Sequence, residues 1–443
     1  MEKFLIGDKM AKYEKSNDLL KRAIEVTPLG AQTYSKSYRY YCQGDSPAFI
    51  ECGEGCYLYD VDGNKYIDFV CALGPITIGY NNKEINDAVK KQLDKGISFS
   101  LQAKVEVELA EKIIEIIPCA EMVRFVKNGG DATTAAIRLA RAYTGRDLVA
   151  LSGYHGMHDW SIGSTENNKG IPEAISNLTK TFEYNNIESL EELFKQYPNE
   201  IAAVILEPIQ ANGPKDDFLQ KVKELTHENG AVLIFDEVVS GFRYALGGAS
   251  EYYDVVPDMA AFGKGMGNGL PISAVAGKKE IMKQIEEGVF VSTTFGGEAL
   301  SMAGSLAALR ILEQPGVYDH IWNLGTILKE GLEELIDKYE LNEVILVSGL
   351  PPHCGVEFED VGSLDYLDIN SIYSQAMIHN RIITVGINNI NLSHTEAEIE
   401  AYLKAAEEGM VNIKKAIEQD STEGILIGKK VDPVFKRNIV EEN

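Results

Sequence analysis

From about residue 80 to residue 280 the sequence alternates between short apolar runs and segments of helical spacing. The runs MVRFV, DLVALSG, AAVILEP, AVLIFDEV and DMAAFG have the length of strands and are nearly continuous in apolar residues. A strand that is apolar throughout is buried on both faces, as in a parallel sheet covered by helices. The fold is therefore predicted to be α/β, with a large domain built on a mostly parallel sheet.

Two further regions flank this pattern. Before it, CYLYDVDGNKYIDFV predicts two strands around the turn Asp62-Gly63-Asn64. After SMAGSLAALRILE, further helices and two strand-like runs predict a smaller α/β domain. A chain of 443 residues exceeds one ordinary core. We predict an N-terminal segment 1–70 that contributes to the small domain and the active site, a large domain 71–312, and a C-terminal small domain with a tail, 313–443.

Charge and composition exclude several classes of protein. Acidic residues outnumber basic residues by 67 to 42, for a net charge of -25, which argues against binding to nucleic acid or to an anionic membrane surface. No apolar stretch is long enough to span a membrane, and the N-terminus does not resemble a signal peptide. The six cysteines are scattered, so we expect reduced thiols in a cytoplasmic protein. His155 and His158 lack a third ligand group nearby, so no metal site is expected.

The stretch AFGKGMGNGLP, residues 261–271, places Lys264 among closely spaced glycines. A dinucleotide-binding loop needs G-x-G-x-x-G between a strand and a helix. Counted from Gly263 the third glycine position is Asn268, and the residues that follow, LPISAVAG, are typical of a strand. The stretch is therefore better explained as a loop in which the lysine itself reacts.

A carboxylate lies at the end of the preceding strand. The run AVLIF leads to Asp236, and DMAAF leads to Lys264. In parallel sheets the chemistry gathers beyond the carboxyl ends of the strands. A lysine and an aspartate at neighbouring strand ends suit pyridoxal 5'-phosphate, since the amine forms a Schiff base with the aldehyde and the carboxylate keeps the pyridine nitrogen protonated. Burial and nearby positive charge lower a lysine pKa enough for the amine to react.

The sequence also offers a place for the phosphate of such a cofactor. RFVKNGGDATTAAIRLAR predicts a strand, a glycine loop and a helix, so the backbone N–H groups of Gly129, Gly130 and Asp131 face any anion at the helix start. The Asp131 side chain is predicted to cap that helix. Tyr154 and His155 follow the strand DLVALSG, and either places an aromatic face on the cofactor ring or is a buried structural residue.

At this point the sequence resembles a known family. DEVVSGFRYALGGASEYYDVVPDMAAFGKGMGNGLPISAVAG is similar to the signature of class III pyridoxal-phosphate aminotransferases, especially the branch that contains glutamate-1-semialdehyde 2,1-aminomutase. YLYDVDGNKYIDFVCALGP, AIRLARAYTGR, GYHG and LSHTEAEIE also resemble that branch. The similarity extends from about residue 25 to about residue 415.

The resemblance implies the fold of type I pyridoxal-phosphate enzymes and a homodimer with two shared active sites. Carried over by matching position, the cofactor-binding residues and their roles are Lys264 for the Schiff base, Asp236 for the pyridine nitrogen, Gly129, Gly130 and Asp131 for the phosphate, Tyr154 for stacking, Glu207 near the cofactor hydroxyl and Thr294 for the phosphate of the partner's cofactor.

Two departures from the family concern the substrate. LGAQTYSKS places Gln32 where the aminomutase has an arginine for the substrate carboxylate, and an amide cannot replace a bidentate guanidinium. FGGEAL carries Glu298 where the family usually has asparagine, which adds negative charge near the entrance of the site. We include both among the candidate substrate residues.

Three functions remain open from the sequence. The first is transamination, with an amino-acid donor, glutamate, and an aldehyde or ketone acceptor, for example a hydroxylated, sugar-type compound. The second is an internal amino shift of the glutamate-1-semialdehyde type or a racemisation, which uses the same cofactor. The third is a binding or scaffold protein without catalysis, which the presence of both Lys264 and Asp236 disfavours.

Overall fold

The structure is a computed structural model, and it describes residues 13–433. The helices are α1 (Glu14–Val26), α2 (Lys83–Leu93), α3 (Lys104–Ile116), α4 (Gly129–Thr144), α5 (Asp159–Ile162), α6 (Glu173–Ser176), α7 (Ile187–Gln196), α8 (Phe218–Glu228), α9 (Gly248–Tyr252), α10 (Lys279–Met282), α11 (Ala299–Leu312), α12 (Val317–Tyr339), α13 (Tyr366–His379) and α14 (Glu396–Gln419).

The strands form three sheets. They are β1 (Ile50–Glu54), β2 (Tyr57–Asp60), β3 (Lys65–Asp68), β4 (Met122–Val126), β5 (Leu148–Ser152), β6 (Thr179–Thr181), β7 (Ile201–Leu206), β8 (Val232–Glu237), β9 (Met259–Phe262), β10 (Ser273–Gly277), β11 (Ile345–Leu350), β12 (His353–Phe358), β13 (Ile382–Ile383) and β14 (Ile387–Asn389).

The chain divides into two compact units. One unit is Gly74–Trp322, and the other combines the residues up to Leu73 with those from Asn323 onward. The domain boundaries proposed above, after residues 70 and 312, remain a prediction.

The unit Gly74–Trp322 is built on a seven-stranded sheet with the order β4-β10-β9-β8-β7-β5-β6. The neighbours from β9 to β6 pair in parallel, whereas β10 is antiparallel to both β4 and β9. Every residue of β7, β8 and β9 is buried. These strands are the continuous apolar runs of the sequence, so the predicted α/β fold with a mostly parallel sheet is confirmed.

The other unit joins the two ends of the chain in one sheet. Strands β2 and β3 pair antiparallel around the turn that the sequence predicts. The Asp60 carboxylate closes this turn by accepting hydrogen bonds from the backbone N–H groups of Asp62 and Asn64, at 3.0 and 2.7 Å. Strand β13 then pairs in parallel with β3, with Ile382 opposite Ile67. The N-terminal segment and the C-terminal region therefore share a sheet.

The tail after α14, which the sequence does not place, packs along α13. The Gln375 side chain accepts a hydrogen bond from the N–H of Ile427 at 2.6 Å and donates to the carbonyl of Ile425 at 2.9 Å. Ser371 Oγ accepts from the N–H of Val431 at 3.0 Å. Side chains of α13 thus fix the backbone of the tail. Among residues 13–433, no helix has the length and apolar composition that crossing a membrane requires.

An ion pair in this second unit makes stability depend on pH. His379 Nε2 lies 2.6 Å from Asp45 Oδ2, and the histidine side chain is 28% exposed. The hydrogen bond to Asp45 raises the pKa of His379, and burial lowers it by less. Because the folded-state pKa exceeds the value of about 6.5 in the unfolded chain, the stabilisation is complete below about pH 6.5 and is lost as the pH rises through the folded-state pKa.

We therefore expect His379→Gln to lower the apparent unfolding temperature more at about pH 6 than at about pH 8.5. Thermal unfolding of wild type and variant across that pH range, followed by circular dichroism, measures the difference. An equal loss at both pH values would contradict the assignment of the charged pair.

Candidate active site

The two residues on which the sequence argument depends lie at the same edge of the large sheet. Asp236 is the fifth residue of β8, and Lys264 follows Gly263 directly after β9. These strands are parallel neighbours, with Asp236 paired to Ala261 and Glu237 to Phe262. The predicted placement of Lys264 and Asp236 at neighbouring strand ends is thus confirmed.

Lys264 has a strained backbone. Its φ of +36° is in the region that residues with a Cβ atom avoid, and it begins a 3-10 turn, Lys264–Gly267. Glycine is needed on both sides because neighbouring atoms approach closely. A Cβ atom at Gly263 would lie 2.9 Å from Ser273 Oγ, and one at Gly265 would lie 2.9 Å from Thr77 Oγ1. Strain of this kind is held in place by surrounding structure and concentrates at functional sites.

The Lys264 amine is poised to lose its proton. Burial lowers its pKa, the carboxylates of Glu207 and Asp236 oppose that shift, and the charge of Arg243 adds to it, with a net lowering. A lowered pKa increases the fraction of neutral amine at a given pH, and only the neutral amine is a nucleophile.

Asp236 is buried and held by two donors. Its Oδ1 accepts a hydrogen bond from the Val238 N–H at 3.0 Å, and its Oδ2 accepts one from His155 Nδ1 at 2.7 Å. The other ring nitrogen, His155 Nε2, lies 3.1 Å from the carbonyl oxygen of Ser152. Both neighbours of the imidazole are hydrogen-bond acceptors, an arrangement that favours the doubly protonated, cationic ring.

The charged state of His155 follows from a balance of opposing effects. Burial lowers the pKa of His155, but the hydrogen bond to Asp236, the negative charges of Asp236 and Glu207 and the hydrogen bond to the Ser152 backbone together outweigh burial, and the pKa is raised. The sequence identifies His155 only as an aromatic or metal candidate. His155 and Asp236 are 81 positions apart, so no local sequence pattern predicts their contact. The position of His155 shortly after the buried strand β5 indicates only that it lies near the active-site edge of the sheet.

Replacing His155 tests this arrangement. In His155→Phe the Asp236 carboxylate loses a charged donor, so we expect kcat/KM to fall about tenfold and the unfolding free energy to fall by about 1–3 kcal/mol. His155→Gln keeps one donor and is expected to recover part of the activity. Steady-state kinetics across pH and urea unfolding measure both effects, with His227→Gln, a partly exposed histidine, as the control. Unchanged activity in the phenylalanine variant would show that His155 has no influence on Asp236.

The predicted phosphate loop is the start of α4. Gly129 and Gly130 are its first two residues, where helix N–H groups have no partner within the helix. Their surroundings are tight. A Cβ atom at Gly129 would lie 2.8 Å from Val238, and one at Gly130 would lie 3.0 Å from His158. The loop is therefore a cradle of bare backbone that suits an anion.

Asp131 differs from the two glycines. Its carboxylate accepts a hydrogen bond from the Asn128 N–H at 2.9 Å, which confirms the predicted cap, and its Oδ1 lies 3.3 Å from His158 Nε2. Its own N–H donates to the Asn128 carbonyl at 3.0 Å. A phosphate role for the Asp131 N–H thus requires a shared hydrogen bond, and it stays a prediction.

Tyr154 and Glu207 follow the carboxyl ends of two other strands of the sheet, β5 and β7. The Tyr154 side chain is 54% exposed, and its N–H donates to Glu207 Oε2 at 3.1 Å. Burial raises the pKa of Glu207, and nearby His155 and Lys264 lower it by less. A Cβ atom at Gly153 would lie 2.5 Å from the Glu207 carboxylate. Glycine at position 153, the first residue of the GYHG motif, therefore leaves the space that the Glu207 carboxylate occupies.

Of the remaining candidates, Thr294 is exposed on the loop before α11, and Gln32 is exposed in the unit that contains both chain ends. Glu298 directly precedes α11. It caps α11 by accepting from the Leu300 N–H at 3.0 Å, and its Oε2 lies 2.9 Å from Lys127 Nζ. The negative charge that Glu298 adds therefore has Lys127 as a partner, and a role of Glu298 toward the substrate stays a prediction.

Comparison with known proteins agrees with this geometry. Residues 40–411 match the sequence family described as Aminotransferase class-III. The chain belongs to this family.

Three known proteins are similar to this chain over most of its length. Glutamate-1-semialdehyde 2,1-aminomutase 2 of Lachnoclostridium phytofermentans is 41% identical over 370 residues, which cover 80% of this chain and 86% of that protein. The 3-aminobutyryl-CoA aminotransferase of Cloacimonas acidaminovorans is 36% identical and covers 92% of this chain and 99% of its own length. The FumI protein of Sphingopyxis sp. MTA144, solved in its PLP internal aldimine form, superposes with a TM-score of 0.85 at 27% identity and covers 91% of this chain and 98% of its own.

Pyridoxal 5'-phosphate is the cofactor of this class III aminotransferase. The chain offers each group that such a cofactor needs. It has an amine with a lowered pKa at Lys264, a buried carboxylate at Asp236, and a bare backbone cradle at Gly129 and Gly130. All of these lie within the unit Gly74–Trp322.

Proposed function

We propose that the protein is a transaminase that transfers an amino group from an amino-acid donor, glutamate, to an aldehyde or ketone. The observation that carries this proposal is the pairing of a desolvated amine, Lys264, with a buried carboxylate, Asp236, at the ends of adjacent parallel strands. Pyridoxal phosphate, when bound, supplies an aldehyde for the amine and a ring that takes up the electron pair of a breaking C–H bond.

The residues of the chain have distinct tasks in this proposal. The Lys264 amine would hold the cofactor aldehyde and, once a substrate amine takes its place, would accept the proton from the substrate carbon and deliver it to the cofactor carbon that the lysine had occupied. The Asp236 carboxylate holds the proton on the ring nitrogen, and the His155 cation fixes the orientation of that carboxylate. The N–H groups of Gly129 and Gly130 donate to the phosphate.

For the acceptor we propose a polar, hydroxylated aldehyde or ketone. It would have no carboxylate group that an arginine must bind through two hydrogen bonds. Gln32 supports this, since the resemblance to glutamate-1-semialdehyde 2,1-aminomutase implies that it replaces an arginine for the substrate carboxylate. The similarity to a protein named 3-aminobutyryl-CoA aminotransferase supports transfer between two substrates. An aminomutase is the second candidate, and the 41% identity to glutamate-1-semialdehyde 2,1-aminomutase 2 favours it.

We further propose that two copies form the active unit, with Thr294 of each copy reaching the phosphate of the other. Thr294 is exposed, and the neighbouring Phe290 and Phe295 are 74% and 58% exposed. The two phenylalanines supply apolar surface that a partner could cover, and a two-fold axis presents the same surface twice.

The donor half-reaction separates the candidates. Holoenzyme is mixed with glutamate alone, and the cofactor spectrum and 2-oxoglutarate are followed. A transaminase converts the cofactor to its amine form and releases one keto acid per site, after which an acceptor panel of sugar-type and simple aldehydes and ketones restores the spectrum. Efficient isomerisation of glutamate-1-semialdehyde, with no keto acid from any donor, would establish the aminomutase instead.

A further inference from the structure

The segment Phe290–Glu298, which connects the sheet region to α11, is exposed in its middle and tied at both ends. Ser292, Thr293, Thr294 and Phe295 are all exposed. The ends are held by side chains of a single motif, namely β4, the phosphate loop and α4.

The N-terminal end of the segment is held by two arginines through its backbone. Arg124, on β4, donates from Nε and Nη2 to the Val291 carbonyl at 3.0 and 2.8 Å. Arg138, on α4, donates to the Phe290 carbonyl at 2.5 Å. Hydrogen bonds from a charged donor are among the stronger ones in proteins.

The C-terminal end is held by an ion pair. Lys127, the residue before Asn128 and the two glycines, has its Nζ 2.9 Å from Glu298 Oε2, and the two side chains are only 17% and 12% exposed. The Glu298 carboxylate also accepts from the Leu300 and Ser301 N–H groups that begin α11. One largely buried carboxylate therefore joins the phosphate loop to the start of the next helix.

We propose that the Lys127–Glu298 pair is a positioning clamp that fixes the segment Phe290–Glu298 against the phosphate loop of its own subunit. The clamp rests on the proposed function, in which this loop holds the cofactor phosphate. In a dimer it links the loop of one site to the Thr294 that completes the other site. Neither Lys127 nor Glu298 touches the cofactor in this account, and both act through the backbone that they hold.

The physical basis is the cost of breaking a mostly buried pair. Removing one partner leaves the other charge without compensation in a poorly solvated place, which displaces the elements that carry it. Removing both the Lys127 and the Glu298 charge avoids the cost of an unpaired charge, but it also removes the contact that holds the segment Phe290–Glu298 against the phosphate loop. The two single changes are therefore expected to be coupled rather than additive.

The test compares binding of pyridoxal phosphate with binding of pyridoxal, which lacks the phosphate. Apoenzyme is prepared from wild type, Lys127→Met, Glu298→Gln and the double variant, and both compounds are titrated by absorbance. Glutamine keeps an oxygen that caps α11, so the helix start is retained. The exposed pair Lys195–Glu191, at 3.0 Å on α7, supplies the control variant Lys195→Met.

Each single variant is expected to weaken pyridoxal phosphate about tenfold more than it weakens pyridoxal, with the combined loss in the double variant smaller than the product of the two. The control variant leaves both affinities unchanged. Equal weakening of the two compounds, or a lower apoenzyme unfolding temperature with unchanged affinities, would reduce the pair to a stabilising contact and overturn the clamp. The donor half-reaction of the wild type tests the proposed function separately, so the two can fail independently.

Discussion

Lys264→Ala is expected to lower the rate of amino transfer by about 10³-fold or more, because one substitution removes both the covalent attachment of the cofactor and the proton carrier. The fold should persist. Lys264 carries an amine whose positive charge is costly to bury. Alanine removes that cost and must adopt the same positive φ as the lysine. The loss is therefore a loss of chemistry rather than of structure.

The rate of the donor half-reaction and the unfolding temperature of the Lys264→Ala variant measure these two consequences separately. Lys279→Ala, which alters an exposed lysine of the same unit, is the control and should retain wild-type activity. A small primary amine added to the Lys264→Ala enzyme is expected to restore part of the rate, since it replaces the missing base. Activity within about tenfold of wild type, without added amine, would show that the essential base lies elsewhere.

Asp236→Asn is expected to lower kcat by about 10²–10³-fold while the protein remains folded, since a fixed charge beside the reacting group is lost. The amide has the shape of the carboxylate but cannot hold a proton on the ring nitrogen. His155 can adapt to the change. Without the carboxylate its raised pKa is no longer supported, so a neutral imidazole can accept at Nδ1 from the introduced amide and still donate to Ser152 from Nε2.

This adaptation makes the variant informative. Thermal unfolding should change little, the cofactor should still bind, and the donor half-reaction should be slow at every pH. The control is Asp147→Asn, at an exposed aspartate whose backbone carbonyl, not its side chain, makes the hydrogen bond to Arg141. Wild-type rates in Asp236→Asn would mean that the carboxylate does not face the ring nitrogen.

Much of this site follows from local patterns in the sequence. The apolar runs predict buried parallel strands, and parallel strands place Asp236 and Lys264 at one edge without any knowledge of the side chains between them. The Asp131 cap and the turn closed by Asp60 are likewise local, since the residues that bond are within four positions of each other.

Other features lie beyond such patterns. The pairing of His155 with Asp236 and that of Lys127 with Glu298 join positions 81 and 171 residues apart, and nothing near either residue in the sequence specifies the partner. For the same reason the sequence alone does not show that the negative charge of Glu298 is paired with Lys127. The positive φ of Lys264 and the close approach of Ser273 and Thr77 to Gly263 and Gly265 are equally hidden, because they depend on tertiary packing.

The most direct test of the central claim is to locate the cofactor bond. Holoenzyme is reduced with borohydride and digested, and the peptide that carries the pyridoxyl group is identified by mass spectrometry. We expect one modified residue, the lysine of AFGKGMGNGLP, and no such peptide from the Lys264→Ala protein. A pyridoxyl group on any other lysine, or a stable holoenzyme with no reducible bond, would contradict it.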